Sequence, residues 1–444
     1  MQLFCYLREI IVRIRLFILG LLCLAACNSK ENSVDPPKPA PKPDIPVPEE
    51  FADYVSVPVS LPEAKVQPMT GIVLWTDNEK AATDCIQLEY SYMRYCDVCS
   101  TKDKFNWTVV ENLLDDVASR GHQAILRFYY VYPGEETTVP AYIKALSNYE
   151  ETQGSSEGEA TWFPDWRNQE LQDFHLAFYE AFAQRYDSDP RLAFLETGFG
   201  LWAEYHIYDG PFILGRTFPS KEFQTRWLCA MSAFFSNLPW CISIDAADSD
   251  YSPFKKDKQL LEFRFGCFDD SFMCEEHSTE NRPNWLFFGT ERYKTSPMGG
   301  EFSYYTDYDQ RHCLDKSGIH GRRFESEAAR YHLSFIIGND QPDYQSISRI
   351  KEASMLTGYI FRLRDFRVKA GVGAVALVEN AGVAPIYRDA YVAVGTGRSD
   401  YSLRNLMPGE QKWIPVASPD ANGKSVPGIA CSHLVAGQEI TFSK

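Results

Sequence analysis

The sequence has little of what metal-binding or nucleic-acid-binding proteins need. It contains a single Cys-x-x-Cys motif, Cys96 to Cys99, whereas a structural zinc site of this kind requires a second pair. Only eight His occur in 444 residues, few for a His-rich metal site. The formal net charge of −16 disfavours nucleic acid and anionic membrane surfaces. We therefore predict no structural metal, no cofactor and no nucleic-acid partner.

Long apolar runs are also absent after the N-terminus. There, Arg8, Arg13 and Arg15 lead into LFILGLLCLAAC, which is short for a membrane span but typical of a secretory signal. Its end, LAAC, resembles a bacterial lipobox, in which Cys27 is lipid-modified and becomes the first mature residue. We predict that residues 1–26 are a lipoprotein signal peptide, with an uncleaved anchor as the alternative. Removing its three Arg and one Glu changes the net charge from −16 to −18.

Residues 27–50 are polar and then dense in proline, which predicts a semi-extended tether. Together with Cys27, this segment indicates a lipid-anchored protein of the bacterial cell envelope, at the outer membrane or cell surface. The lipid anchor is the only membrane contact that we expect. Nine cysteines follow Cys27, and an odd number leaves at least one thiol unpaired.

From residue 70 the chain alternates strand-like and helix-like segments, a pattern typical of parallel β/α architecture. A long loop, 131–168, carries Trp162 and Trp166 and either faces substrate or docks on the barrel flank. Eight units over about 290 residues predict a (β/α)8 TIM barrel spanning residues 51–365. The predicted strands are 71–75, 86–93, 123–130, a fourth within 194–208, 241–245, 264–268, 295–301 (or 285–289) and 334–339; the predicted helices are 107–120, 169–186, 220–236, 324–333 and 346–363.

The pattern changes after residue 365. Alternating apolar residues with Gly- and Asn-rich turns predict a small C-terminal all-β sandwich over residues 366–444. Its last strand is predicted at 439–443. We expect this domain to pack on the barrel.

The stretch 194–208, FLETGFGLWAEYHIY, carries the clearest chemical signal. It begins as a buried strand and ends in Trp202, Glu204, Tyr205 and His206. A carboxylate among aromatic residues at the carboxyl end of a barrel strand is where such enzymes place a catalytic acid. Glu204 is therefore the candidate acid, and the alternative is an ordinary solvated carboxylate.

These residues resemble a known family. TGFGLWAEYH, at 197–206, resembles the Gly-x-x-Gly-x-Trp-Gly-Glu-Trp-His signature of the secreted barrel proteins called domain of unknown function 4832. Five further segments resemble that family in the same order: LEYSYMRY at 88–95, GCFDDSF at 266–272, SPMGGEFSYY at 296–305, RYHLSFIIGND at 330–340 and ENAGVAPIYRD at 379–389.

The family in turn resembles the retaining glycosidases built on (β/α)8 barrels. Those enzymes place an acid/base Glu after strand four and a nucleophilic Glu after strand seven, which implies Glu204 and Glu301 here. The sequence departs from the pattern at Ala203, where the glycosidases usually have Asn and the family has Gly. Tyr205 replaces Trp, and Phe268 replaces His or Asn.

Glycoside hydrolysis needs one protonated and one ionised carboxyl group. We expect aromatic walls to raise the pKa of Glu204, and Arg127 or Tyr304 to keep Glu301 ionised. Three of the candidate residues have an alternative structural role. Glu89 could face the helix layer, either Asp269 or Asp270 could cap the following segment, and His206 could be part of the pocket wall without binding substrate. The predicted substrate-binding residues are Trp75, Glu89, Tyr90, Arg127, Tyr129, Trp202, Tyr205, His206, Asp269, Asp270, Tyr304, His332 and Asn339.

The sequence thus favours a retaining glycoside hydrolase acting on an extracellular poly- or oligosaccharide. The aromatic content of 14% suits a sugar-binding protein as well as a large core. The main alternative is a non-catalytic glycan-binding lipoprotein with a degenerate barrel, which Ala203 favours. A weaker alternative is a metal-dependent hydrolase using His206, Asp269 and His332.

Overall fold

The computed structural model describes residues 43–443. The predicted signal peptide, Cys27 and most of the tether lie outside these residues. Within the described part, no helix is both long and apolar enough to cross a membrane.

The described chain contains nineteen strands and ten α-helices, together with several short 3-10 turns. The strands are β1 (Val55–Ser56), β2 (Gly71–Trp75), β3 (Leu88–Arg94), β4 (Cys99–Thr101), β5 (Lys104–Phe105), β6 (Gln123–Tyr129), β7 (Thr152–Ser156), β8 (Glu159–Phe163), β9 (Leu192–Glu196), β10 (Trp240–Ser243), β11 (Gly266–Phe272), β12 (Met298–Phe302), β13 (Phe335–Ile337), β14 (Phe361–Lys369), β15 (Gly373–Asn380), β16 (Ala390–Val394), β17 (Gly397–Ser402), β18 (Gln411–Ala417) and β19 (Gly428–Cys431). The helices are α1 (Tyr95–Val98), α2 (Thr108–Ser119), α3 (Ala141–Lys144), α4 (Gln169–Tyr186), α5 (Lys221–Phe234), α6 (Asn281–Phe287), α7 (Asp307–His312), α8 (Phe324–Arg330), α9 (Gln341–Tyr344) and α10 (Ile347–Ser354).

Eight parallel strands form a closed barrel, which confirms the predicted (β/α)8 TIM fold. The strands pair in the order β2, β3, β6, β9, β10, β11, β12 and β13, and β13 closes the barrel on β2. Because all eight run in the same direction, their carboxyl ends form a single open face, where barrels of this kind carry their sites. We call this face the barrel mouth.

Two predicted segments at the end of the barrel differ from the structure. The alternative strand seven at 285–289 lies largely in α6, so β12 is the seventh barrel strand, as the 295–301 prediction had it. The predicted helix 346–363 is wrong in its second half, because α10 ends at Ser354 and Phe361 already belongs to β14. Between them, Gly358 has a φ of +66°, a conformation that interrupts a helix.

The long loop 131–168 is structured. It contains α3 and the antiparallel hairpin of β7 and β8. Trp166 is fully buried and its ring packs against His175, Phe199 and Phe223, whereas Trp162 is half-buried. Trp166 therefore fastens this segment to the flank of the barrel.

The C-terminal strands form two antiparallel sheets, as predicted for a sandwich. One has the order β1-β14-β15-β18 and the other β17-β16-β19. The predicted boundary between residues 365 and 366 falls inside β14. The predicted last strand, 439–443, is not a strand, and only Ser443 forms a bridge, to Arg362.

The sandwich covers the amino-terminal end of the barrel. Phe194 and Phe335 from the barrel interior belong to the same buried cluster as Phe361 and Phe366 of the sandwich. His433 Nε2 donates to the carbonyl of Leu192 at the start of β9, at 3.0 Å. The core is thus continuous between the two parts, and the barrel mouth is the end left open.

The segment before the barrel also packs on the sandwich. Trp413 Nε1 donates to the carbonyl of Pro46 at 2.9 Å, and Val47 and Phe51 contact the cluster that contains Val375. Residues 43–50, predicted as the end of a free tether, are therefore held against the folded domain.

Candidate active site

The segment that carries Glu204 is a compact turn, not a continuation of the strand. β9 ends at Glu196, eight residues before Glu204. The backbone N–H groups of Phe199 and Gly200 both donate to the carbonyl of Glu204, at 3.1 and 2.8 Å. A Cβ on Gly200 would lie 1.7 Å from the carbonyl oxygen of His206, so only glycine permits this close fold.

Two residues of this turn have strained backbone. Trp202 and Ala203 have φ values of +51° and +57°, the left-handed region that residues with a Cβ disfavour. Trp202 N–H donates to the carbonyl of Val131 at 3.0 Å, which ties the turn to the loop after β6. A glycine at position 203 would have no Cβ to oppose this φ.

Arg127 is the positive centre of the barrel mouth. Its fully buried guanidinium donates from Nε to Glu196 at 2.9 Å and from Nη1 to Asp270 at 2.7 Å. It also donates to the carbonyl of Trp202 at 3.3 Å and lies 4.1 Å from the ring centroid of Phe268. Phe268 therefore supplies a cation–π contact to Arg127.

Several polar atoms in the barrel interior have no hydrogen-bond partner among the described residues. They are Tyr90 Oη, Glu196 Oε1, Asp270 Oδ1 and Glu301 Oε1, and all four atoms are buried. Buried polar groups in folded proteins are nearly always paired with protein or water. Unpaired groups converging from four strands indicate a cavity lining that meets a polar ligand or water.

The expected support for Glu301 is not present. The hydrogen bonds of Arg127 go to Glu196, Asp270 and neighbouring oxygens, with none to Glu301. Tyr304 is exposed, and among the described residues no hydrogen bond joins it to Glu301. The hydrogen bond that was expected from Arg127 to Glu301 goes instead to Asp270 and Glu196.

Burial raises the pKa of Glu204 well above its usual value, and the negative charges of Asp270, Asp245 and Glu301 raise it further. Arg127 opposes this effect. A raised pKa keeps Glu204 protonated nearer neutrality, which is what a general acid requires.

The pKa of Glu301 is shifted in the same direction. Burial raises it well above the usual value, Asp270 adds to the effect, and Arg127 opposes it. This direction is opposite to what a nucleophilic carboxylate needs. Burial also raises the pKa of Glu196 to about 7.

Glu204 has two close neighbours that can bind the same ligand. His206 Nε2 lies 3.5 Å from Glu204 Oε2. One donor atom each from Glu204, His206 and Asp245 all lie within 4.8 Å of one another. Asp245 was not predicted as a site residue, although it ends the predicted fifth strand, CISID, and the end of a barrel strand is the usual place for a site residue.

Exposed tyrosines surround the barrel mouth. Among the described residues, the tyrosines in the exposed class all lie in segments that follow barrel strands: Tyr208 after β9, Tyr304, Tyr305 and Tyr308 after β12, and Tyr344 after β13. The ring of Trp202 stacks on that of Tyr208 at a centroid distance of 5.9 Å. Only Tyr304 of this rim was predicted.

Three more predicted residues lie at the mouth. Asn339 Oδ1 accepts from the backbone N–H of Trp75 at 3.0 Å, joining the ends of β13 and β2. The rings of Trp75 and Tyr129 both pack edge-on against the ring of Tyr92, with centroid distances of 5.8 and 5.7 Å. Tyr92 was not predicted, although it lies two residues after Tyr90 and therefore on the same face of β3.

Glu89 and Asp269 are not part of the site. Glu89 accepts from Arg120 Nε at 2.9 Å and pairs with His122 Nδ1 at 2.8 Å, in the helix layer. Asp269 accepts from Asn281 at 2.8 Å and from Trp285 Nε1 at 2.9 Å, also outside the barrel. Both carboxylates are fully engaged in structural contacts.

Tyr205 and His332 also lie elsewhere. Tyr205 is fully buried, packs on Phe218, and donates to Gln224 Oε1 at 3.0 Å. His332 precedes β13, at the opposite end of the barrel, where its Nδ1 lies 2.6 Å from the carbonyl of Val383 of the sandwich. The metal-dependent alternative therefore loses two of its three proposed ligands, Asp269 and His332.

Comparison with known proteins gives likenesses among solved structures. No protein-family model matches the chain, and no curated protein matches it, so the resemblance to domain of unknown function 4832 stays a prediction. The structure is similar to endo-glycoceramidase II from Rhodococcus sp., captured as a lactosyl-enzyme intermediate, with 10% identity, a TM-score of 0.41, and coverage of 84% of this chain and 99% of that one. It is also similar to a GH10 xylanase from Thermobacillus composti (13% identity, TM-score 0.37, coverage 63% and 86%) and to xylanase B from Clostridium stercorarium F9 (15%, 0.34, 65% and 86%).

Proposed function

We propose that the protein is a glycoside hydrolase acting on an extracellular poly- or oligosaccharide, with Glu204 as its general acid. One observation carries the proposal: Glu204 is held over the barrel mouth with a raised pKa, inside a rim of exposed tyrosines. Aromatic rings stack on the C–H faces of sugars, and a carboxylic acid that stays protonated can donate to a glycosidic oxygen.

In the proposed reaction, Glu204 protonates the leaving oxygen while a second carboxylate attacks the anomeric carbon. The covalent glycosyl-enzyme is then hydrolysed by water, with Glu204 acting as base. Position on the seventh barrel strand, β12, supports Glu301 as the nucleophile. Contact geometry supports Asp270 as its competitor, because Asp270 lies 2.7 Å from Arg127 Nη1 in an ion pair that Glu301 lacks.

The assignment can be tested with Glu204→Gln, Glu301→Gln and Asp270→Asn on a panel of neutral glycans. We expect each true catalytic carboxylate to lose about 100-fold or more in kcat. The matched control is Glu291→Gln, a surface glutamate whose side chain is 68% exposed, which should retain full activity. Full activity in Glu204→Gln contradicts the proposal.

Azide rescue separates the two roles. With an activated aryl glycoside, Glu204→Ala should form a glycosyl azide of retained configuration, because the nucleophile is still present. Loss of the nucleophile should give the inverted azide, since azide then attacks directly. Applying this test to Glu301→Ala and Asp270→Ala decides which carboxylate is the nucleophile.

A glycan-binding protein without hydrolysis is the second candidate. The pKa values of Glu204 and Glu301 are both raised, so this pair lacks a carboxylate held in its ionised form. Calorimetric binding of an oligosaccharide that is never cleaved would support this candidate. Loss of that binding in Tyr208→Ala or Tyr305→Ala would locate it at the barrel mouth.

We also propose that the protein is anchored to the bacterial cell envelope through Cys27. The support is the charged and apolar N-terminal sequence that ends in LAAC. The Cys27→Ser variant should lose incorporation of labelled fatty acid and leave the membrane fraction. Unchanged labelling would exclude Cys27 as the lipidated residue.

A further inference from the structure

Glu204, His206 and Asp245 form the one group among the described residues that brings three metal-ligating side chains together. Their donor atoms lie within 4.8 Å of one another, and His206 Nε2 is 3.5 Å from Glu204 Oε2. Ligands bound to one tetrahedral Zn²⁺ at about 2.1 Å are about 3.4 Å apart. The Glu204–His206 pair already has this spacing.

The three side chains are free to bind. No described residue donates a hydrogen bond to the Glu204 carboxylate, and its polar contact is with His206. His206 Nδ1 is buried without a partner, so no protein group competes for the ring. Ser243 Oγ donates to one carboxylate oxygen of Asp245, which orients the side chain and leaves the other oxygen available.

The cation at the barrel mouth is already paired. Arg127 is engaged by Glu196 and Asp270. Asp270 is only 8% exposed, its Oδ1 is buried without a partner, and its charge is the largest acting on Glu204. A positively charged or hydrogen-bond-donating group bound at the barrel mouth would satisfy this unpaired oxygen.

We propose that Glu204, His206 and Asp245 bind a divalent transition-metal ion of the Zn²⁺ type at the barrel mouth. An imidazole nitrogen with two carboxylates suits Zn²⁺, whereas Ca²⁺ takes six to eight oxygens and Mg²⁺ prefers oxygen alone. Three protein ligands leave a fourth position for water. The site goes beyond the proposed function, because a bound ion occupies Glu204 and stops it from donating a proton.

Binding is measured without reference to activity, by titrating chelator-stripped full-length protein with Zn²⁺ in a calorimeter. We expect one ion per chain, with affinity reduced about tenfold or more in His206→Ala and in Asp245→Asn. Asp245→Asn preserves side-chain volume, which guards against a folding defect. Asp248→Asn, an exposed neighbour, is the matched control and should bind like the wild type.

Co²⁺ spectroscopy tests whether cysteine thiolates bind the ion instead, since the cysteines of the described chain are all free. Ligation by nitrogen and oxygen gives weak d–d bands without the intense sulfur charge-transfer bands of a thiolate site. Three results would each overturn the proposal: intense charge-transfer bands, no zinc binding, or a zinc affinity that is unchanged in both His206→Ala and Asp245→Asn. So would Ca²⁺ binding that depends on the same residues while Zn²⁺ does not bind.

Zinc binding and glycan cleavage can be tested independently of each other. Zinc binding that depends on His206 and Asp245, in a protein that cleaves no glycan, supports the metal site and removes the hydrolase. Glycan cleavage without zinc binding does the reverse. If both hold, Zn²⁺ should inhibit cleavage in the wild type, and excess chelator should restore it.

Discussion

Asp269 and Asp270 are adjacent on β11 and point to opposite faces of the barrel wall. Asp269 faces outward, where Asn281, Trp285 and Ser271 supply hydrogen bonds to both of its oxygens. Asp270 faces inward, pairs with Arg127, and keeps one buried oxygen without a partner. Both are buried carboxylates, but only the inward one has capacity left for a ligand.

The same contrast holds for the glutamates. Glu89, on the outer face of β3, is fully engaged by Arg120 and His122. Glu196 and Glu301, on the inner face, each retain a buried oxygen without a partner. Among these buried carboxylates, complete pairing thus goes with the outer face of the barrel wall, and an unpaired oxygen goes with the inner face.

The largest expected effect is on stability, from replacing Arg127 by Met. This change leaves Glu196 and Asp270 as buried carboxylates without their cation, which costs about 3–5 kcal/mol. Urea unfolding measures the loss, and the loss should shrink as the pH falls and the carboxylates take up protons. Arg120→Met, on the outer layer, is the comparison and should cost less because His122 still pairs with Glu89. Equal losses would contradict the contrast between the faces.

Replacing the two adjacent aspartates should separate stability from function. Asp269→Asn places an amide N–H₂ against the donors of Asn281 and Trp285, at a cost of about 1–3 kcal/mol. Asp270→Asn should change stability by less than about 1 kcal/mol, because Arg127 keeps Glu196. Only Asp270→Asn should impair glycan cleavage or binding. The reverse pattern would show that the inner face is structural.

Stability should depend on pH through the inner glutamates. Because the pKa of Glu301 is raised in the folded state, the folded protein binds its proton more tightly than the unfolded chain does. This contribution is complete below about pH 4.3, the usual value for an unfolded Glu, and is lost as the pH rises through the folded pKa. Glu301→Gln should therefore flatten the pH dependence and be relatively more stable near about pH 8. An unchanged pH profile would contradict the raised pKa.

The smallest expected effect is a gain in the free energy of unfolding. Ala203→Gly removes the Cβ that makes a φ of +57° unfavourable, and should stabilise the protein by roughly 0.5–1 kcal/mol. Ala193→Gly, in the extended interior of β9, is the matched control and should destabilise it. Thermal unfolding of both variants measures the difference. A loss of stability in Ala203→Gly would mean that packing of the methyl group outweighs the strain.

The fold was predictable because hydrophobic periodicity and turn residues are local signals. The strand 71–75 and the helix 169–186 have the predicted limits, since each is bounded by clear breaks in the pattern. The end of the fourth strand was not predictable in the same way. Its apolar pattern runs on past Glu196 into a turn that is held by backbone hydrogen bonds between residues 199 and 206.

The candidate site was harder to predict than the fold. On a strand buried on both faces, residue type does not tell which side chain points inward, so Glu89 and Asp269 were grouped with Arg127 and Asp270. Glu196 was not predicted, because the aromatic residues that mark a candidate acid flank Glu204 and not Glu196. The outward residues are recognisable only once their partners, such as Arg120 and Asn281, are seen in space.

The pairing of β1 with β14 affects both the folding of the chain during synthesis and the folding of its fragments. Residues 55 and 56 lie along Val368 and Arg367, so the C-terminal sheet takes its edge strand from the beginning of the described chain. The sandwich is therefore discontinuous in sequence, and during synthesis it can be completed only after the whole barrel has left the ribosome. A fragment consisting of residues 366–444 alone would lack both that edge strand and the start of β14, so it should not fold as an independent domain.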